Sequence, residues 1–177
     1  MPNSPIDLLH EWRDFFVVIA TVSATLVGAM FVVASIGIGF FNRNHAAAIR
    51  SFLTPTVIHL SAVIVLCLVT MAPSLDWNWL GGCIALAGAA GIIYAVFVGV
   101  DVWRRRELVL VDHFWYGLAP LAGYFFILAA AVLIVLRKPL AMELTGIGMV
   151  LMILCGVRNS WDMIVFILTR ERTEPQE

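Results

Sequence analysis

Three ionisable residues lie inside long apolar stretches of this sequence: His59, Arg158 and Asp162. A charge at the centre of a membrane-spanning helix costs roughly 2.5–3.5 kcal/mol on insertion scales, and such residues commonly serve function. Arg158 and Asp162 are four residues apart, so on a helix they share one face and are able to form a charge-assisted pair. These residue types favour ion or proton handling, or the locking of one helix to another.

Helix geometry predicts how deep these residues lie. If Arg170 marks the inner interface, Arg158 lies about 18 Å and Asp162 about 12 Å from it along the helix axis. By the same rise per residue, His59 lies about 13.5 Å from Arg50. We therefore predict that His59 approaches the Arg158–Asp162 pair inside a helical bundle. The predicted intramembrane polar cluster is His59, Arg158, Asp162 and Thr56, and the secondary candidates are Asp101, Asn159 and Ser160.

Two other interpretations of these residues remain open. Paired polar groups in membrane proteins often only hold helices in register, with each hydrogen bond contributing on average well under about 2 kcal/mol. Alternatively, the fifth apolar segment ends at Val157, which places Arg158 at the headgroups and makes residues 161–168 an interfacial helix.

Other familiar chemistries lack the residues that they require. Cys67, Cys83 and Cys155 lie in apolar segments without C-x-x-C spacing, which favours helix packing over a disulfide framework or a zinc site. A b-type haem needs two facing histidines at one depth, and only His59 is deep. No metalloprotease, hydrolase, P-loop or dinucleotide-binding motif occurs. We expect no catalytic residue, no metal and no cofactor.

The amino-acid composition indicates that these residues belong to a membrane protein. Of 177 residues, 62% are hydrophobic and 13% are charged, with a mean hydropathy of +0.96. A soluble domain is nearer half apolar and a quarter charged, and a small domain cannot hide this excess from water. The net charge of −1 gives no field that would attract nucleic acid.

Charges and turn-forming residues divide the chain into five apolar segments, each meeting the roughly 20 residues that a bilayer crossing needs. The prediction is an all-α, polytopic transmembrane bundle, with a short amphipathic outer segment over 1–14, five spans within 15–169 and a polar tail over 170–177. The predicted spans are 15–41, 52–72, 79–103, 113–136 and 140–169.

Lysine and arginine counts in the loops predict the orientation, because cytoplasmic loops carry the excess. With the N-terminus outside and the C-terminus inside, seven basic residues lie inside and three outside. The inner ones are Arg43, Arg50, Arg104, Arg105, Arg106, Arg170 and Arg172, and the outer ones are Arg13, Arg137 and Lys138.

Small residues recur at four-residue spacing on two of the spans, a pattern that lets helices approach closely in lipid. Two separate rows on the third span indicate neighbours on two sides. The rows are Ala20, Ala24 and Gly28 on the first span, and Gly91, Ala95 and Gly99 with Gly81, Ala85 and Ala89 on the third.

Three short stretches carry a family resemblance: residues 12–16 (WRDFF), Gly28 followed by Phe31 and Val32, and residues 158–162 (RNSWD). With them the chain resembles small, uncharacterised multipass proteins of bacterial inner membranes. The resemblance implies that membrane location and brings no activity with it.

Three functions follow as hypotheses. The first is an oligomeric ion channel or proton-conducting protein in which the polar cluster lines or gates a path, with the pore between protomers. The second is a non-conducting regulator or subunit that binds another membrane protein through its small-residue faces. The third, a haem or redox protein, would require a bound chromophore. The expected partners are the lipid bilayer and either further copies of the chain or another membrane protein.

Overall fold

The computed structural model describes residues 5–38, 46–72, 76–104 and 114–170. Over these residues the chain is helical without strands, and five helices are long and apolar enough to cross a membrane, as predicted. A π-helical segment, Phe114–Leu118, directly precedes the fourth. The helices are α1 (Pro5–Ile38), α2 (Ala46–Thr70), α3 (Trp77–Arg104), α4 (Ala119–Val135) and α5 (Leu140–Arg170).

The predicted outer segment is not a separate helix. Helix α1 continues through residue 14 into the first span, since no glycine or proline interrupts residues 6–27. Two of its aromatic side chains pack against α5, where an added Cβ at Gly146 would lie 3.5 Å from Trp12 Cζ3 and 3.1 Å from Phe15 Cζ. Leu9 and Trp12 are partly buried against the apolar core. The part of α1 from Leu9 onward therefore belongs to the bundle.

Pro120 explains why the chain is π-helical just before α4. Proline has no N–H to donate to the carbonyl four residues earlier, and its ring crowds that carbonyl. The backbone before Pro120 widens into the π form over Phe114–Leu118, and regular α-helix resumes at Ala119. Pro120 thus produces a local change of helix type at the start of α4.

A tight turn joins α4 to α5. The Arg137 N–H donates to the carbonyl of Ile134, and the Lys138 N–H donates to that of Leu133. Arg137 has a φ of 55°, so this is the two-bond turn in which a left-handed residue ends a helix. Pro139 follows and prevents the helix from continuing. The two helices consequently pack side by side as an antiparallel pair.

Helix α5 contacts more of the bundle than any other helix. It packs against α1, α2, α4 and the π-helical segment, while α3 packs mainly against α4 and also contacts α2. It is continuous from Leu140 to Arg170, without a break at Gly156. At Gly156 a side chain is absent because Leu60 of α2 lies there, and an added Cβ would be 2.9 Å from its Cδ2.

Glycines from both small-residue rows of α3 face α4. At Gly91 an added Cβ would overlap the ring of Tyr124, and at Gly81 it would lie 2.8 Å from Val135 Cγ2. At Gly88, which belongs to neither row, it would lie 2.9 Å from the backbone N of Leu128. The two helices therefore stay close along much of their length, and α3 also contacts α2.

The small-residue row of α1 behaves differently. Ala20 is half-buried, Ala24 is exposed, and nothing lies within 4 Å of the position that a Cβ would take at Gly28. Helix α1 packs mainly against α2 and α5. The end of this row therefore faces away from the rest of the protomer.

The Gly91 contact yields a first prediction. Gly91→Ala puts a methyl group into the Tyr124 ring, and overpacking of this kind typically costs about 1–3 kcal/mol. Gly82→Ala is the matched control, because nothing lies within 4 Å of its added Cβ and both changes raise helix propensity equally. We expect thermal unfolding in detergent micelles to show a lower Tm for Gly91→Ala only. Equal Tm values for the two variants would contradict the contact.

Candidate functional site

The polar residues within the apolar helices form two groups. The first, called the buried polar group, comprises His59, Tyr124, Thr56 and Asn159, all of them at most 3% exposed. The second, called the inner triad because it lies further towards the C-terminal end of α5, comprises Tyr116, Arg158 and Asp162, which are partly exposed.

His59 and Tyr124 form the central contact of the buried polar group. A hydrogen bond of 2.8 Å joins His59 Nδ1 on α2 to the Tyr124 hydroxyl on α4. The ring of Tyr94 on α3 meets His59 edge-on, with centroids 5.7 Å apart. Gly91 provides the space in which the Tyr124 ring lies. One imidazole thus connects three helices through two tyrosines.

Thr56 and Asn159 make the second bond of this group. The Asn159 side-chain amide donates from Nδ2 to Thr56 Oγ1 at 3.1 Å, which joins α5 to α2. Among the residues that the structure describes, the Asn159 Oδ1 atom has no hydrogen-bond partner. The two bonds of the group tie α2 to both α4 and α5.

The inner triad joins α5 to the π-helical segment. Arg158 Nη1 lies 3.3 Å from Asp162 Oδ1, which gives the charge pair that the four-residue spacing predicts. The Tyr116 hydroxyl donates to the other oxygen, Oδ2, at 2.9 Å. The Arg158 and Asp162 side chains are 37% and 25% exposed. The opposite charges of Arg158 and Asp162 therefore compensate each other at the edge of the bundle, where both side chains stay partly exposed.

The register between α2 and α5 differs from the predicted depth. Because Thr56 meets Asn159 and Leu60 meets Gly156, His59 lies near the level of Gly156. Asp162 is then about 9 Å further along the helix axis. The depth prediction assumed that Arg50 and Arg170 lie at one level, and their side chains fall outside the described residues. The structure directs His59 to Tyr124 rather than to the Asp162 carboxylate.

The remaining candidates lie at helix contacts or edges. Ser160 Oγ donates to the Gly156 carbonyl at 2.7 Å and lies 2.9 Å from Met30 Sδ of α1. Asp101 is exposed near the end of α3. Within the described part of the chain, no group of three or more histidine, cysteine or acidic side chains could hold a metal.

Sequence reasoning missed the two tyrosines that complete the polar groups. The signal was present, because a tyrosine hydroxyl within an apolar span needs a hydrogen-bond partner when buried. Tyr124 and Tyr116 both lie in the predicted fourth span, one near its middle and one near its start. Asking which polar residue of another span each hydroxyl bonds to would have made both tyrosines candidates.

The His59–Tyr124 bond yields a second prediction. Tyr124→Phe leaves His59 Nδ1 without its partner in a buried site, which costs about 1–3 kcal/mol of unfolding free energy. His59→Leu likewise leaves the hydroxyl unpaired. The double variant should therefore lose less than the two single losses together. Unfolding free energies measured for all four proteins in one detergent check this, and strict additivity would contradict a coupled pair.

Comparisons of the whole chain with family models, curated proteins and solved structures gave no match. Inferences about function therefore rest on the contacts, exposure and charge of the chain's own residues.

Proposed function

We propose that this chain is a multipass protein of a bacterial inner membrane, with its N-terminus outside and its C-terminus inside. The loop excess of Lys and Arg on the C-terminal side supports this orientation. Trp79 and Trp103 are each 70% exposed. They lie about 36 Å apart along α3, a spacing that suits the two aromatic belts of a bilayer.

Within that membrane, we propose that the protein works as a non-conducting regulator or subunit that binds a membrane-spanning helix of another protein. The observation that carries this proposal is how the intramembrane polar residues are used. His59 bonds to Tyr124, Asn159 bonds to Thr56, and these contacts lie among packed apolar side chains. Polar groups used in this way fix helices in place, which suits a rigid binding module.

We assign the partner's binding surface to the outward end of the small-residue row on α1, around Ala24 and Gly28. Ala24 is exposed and Gly28 has open space above it, so a neighbouring helix could approach the α1 backbone closely there. In lipid such close approach supplies the dispersion contacts that drive helix association. Phe31 and Val32, each about 60% exposed, flank this end.

A third prediction tests the α1 surface. Gly28→Leu should leave the protomer folded, since nothing lies within 4 Å of the added Cβ, and should prevent close helix approach. Gly82→Leu is the matched control, an exposed glycine on α3 with the same open space. A crosslinker attached at position 24 and reacted in the membrane should join the chain to its partner protein in one adduct. Wild type and Gly82→Leu should give equal amounts of this adduct, and Gly28→Leu several-fold less. An adduct unaffected by Gly28→Leu would refute the assigned surface.

A second candidate function is an ion- or proton-conducting oligomer. The observation that favours it is the partial exposure of Arg158 and Asp162 at the edge of the protomer. Charges placed there would line a path between copies of the chain rather than through one bundle.

A fourth prediction separates the two functions. Purified protein in liposomes should give no proton or cation flux above that of empty liposomes if it is a non-conducting module. Asp162→Asn, His59→Ala and wild type would then be indistinguishable. A flux that depends on Asp162 would instead support conduction between protomers and overturn the first proposal.

A further inference from the structure

The guanidinium of Arg158 makes few of the hydrogen bonds that its N–H donors allow. A guanidinium carries five N–H donors, yet its one ion-pair contact among the described residues is from Nη1 to Asp162 at 3.3 Å. The buried Nε–H has no acceptor in that part of the chain. The other Asp162 oxygen, Oδ2, accepts from the Tyr116 hydroxyl. Because the Arg158 side chain is 37% exposed, its remaining Nη–H groups are available to an acceptor outside the protomer.

The surroundings of Arg158 are those of a membrane interface. On the outward face of α5, Val157 and Trp161 are 47% and 60% exposed. The inner triad reaches the π-helical segment, where Gly117 lies beside the Trp103 indole of α3. Exposed tryptophans on two helices and a tyrosine at one level are typical of the headgroup region.

The span lengths agree with this placement. With Leu140 at the outer boundary, Arg158 lies about 27 Å along α5, close to the far side of a hydrocarbon core of about 30 Å. The acceptors present at that depth are water, the ester carbonyls of the lipids and the phosphate oxygens of their headgroups. Arginine binds phosphate well because its planar N–H groups match the phosphate oxygens.

We propose that Arg158 binds the phosphate of an anionic phospholipid in the inner leaflet, with Trp161 against the adjoining acyl chain. This site is separate from the proposed helix-binding surface on α1. Asp162 opposes the lipid phosphate through its charge and, with Tyr116, keeps the guanidinium at the interface. The lipid would be a bound component of the folded protein rather than a passing solvent molecule.

Native mass spectrometry of the full chain in detergent, titrated with phosphatidylglycerol, tests the site. Arg158→Gln should weaken binding of the first lipid about tenfold, as expected when a charge-assisted hydrogen bond is lost. Arg137→Gln, which removes an exposed charge at the opposite end of the bundle, is the matched control and should leave that binding unchanged. Equal binding by Arg158→Gln and wild type, or an equal loss in both variants, would overturn the proposal.

Two further variants keep the test decisive if Arg158→Gln does not fold. Arg158→Lys retains the charge but loses the planar fork and should bind less tightly than wild type. Asp162→Asn removes the opposing charge and should bind more tightly. No change in either variant would count against the site. Displacement of the lipid by millimolar inorganic phosphate would instead identify a free-anion site and overturn the lipid assignment.

Discussion

The bundle depends on the place where the Tyr124 ring fits against the backbone of α3. Gly91 leaves that space, and the ring carries its hydroxyl to within 2.8 Å of His59 on α2. In hydrocarbon an imidazole without a partner would be costly, so the missing side chain of Gly91 makes the polar contact possible. The contact of the Tyr124 ring with α3 and the hydrogen bond between α4 and α2 both depend on this one glycine.

The parts that were predictable from sequence were those set by length and local spacing. Five apolar segments and the Arg158–Asp162 pair follow from counting residues along a helix. The contacts between helices did not follow, because tilt and relative height depend on where glycines let backbones approach. His59 lies near the level of Gly156 and not of Asp162 for that reason, since Leu60 packs against Gly156 and Thr56 meets Asn159. The continuity of α1 was missed because charges at its start were taken as a boundary, although its aromatic residues pack on α5.

The buried polar group and the inner triad lower the free-energy cost of polar side chains in lipid in opposite ways. The buried polar group consists of neutral side chains that satisfy one another across helices, so it needs no solvent. The inner triad contains formal charges, and its partly exposed position keeps them at the surface of the bundle. Neutral polarity is thus used for internal order and charge for the boundary with the surroundings.

The π-helical segment before Pro120 carries a consequence for how the chain tolerates length changes. A π turn contains one more residue than an α turn, and such a turn accommodates an extra residue inside a helix. Deleting that extra residue between Phe114 and Leu118 would therefore leave the chain before and after the turn in nearly its present orientation. Deleting one residue from the regular α-helix that begins at Ala119 would instead rotate Tyr116 by about 100° around the helix axis, away from Asp162. The π-helical segment is thus a place where the chain tolerates the loss of one residue, whereas α4 is not.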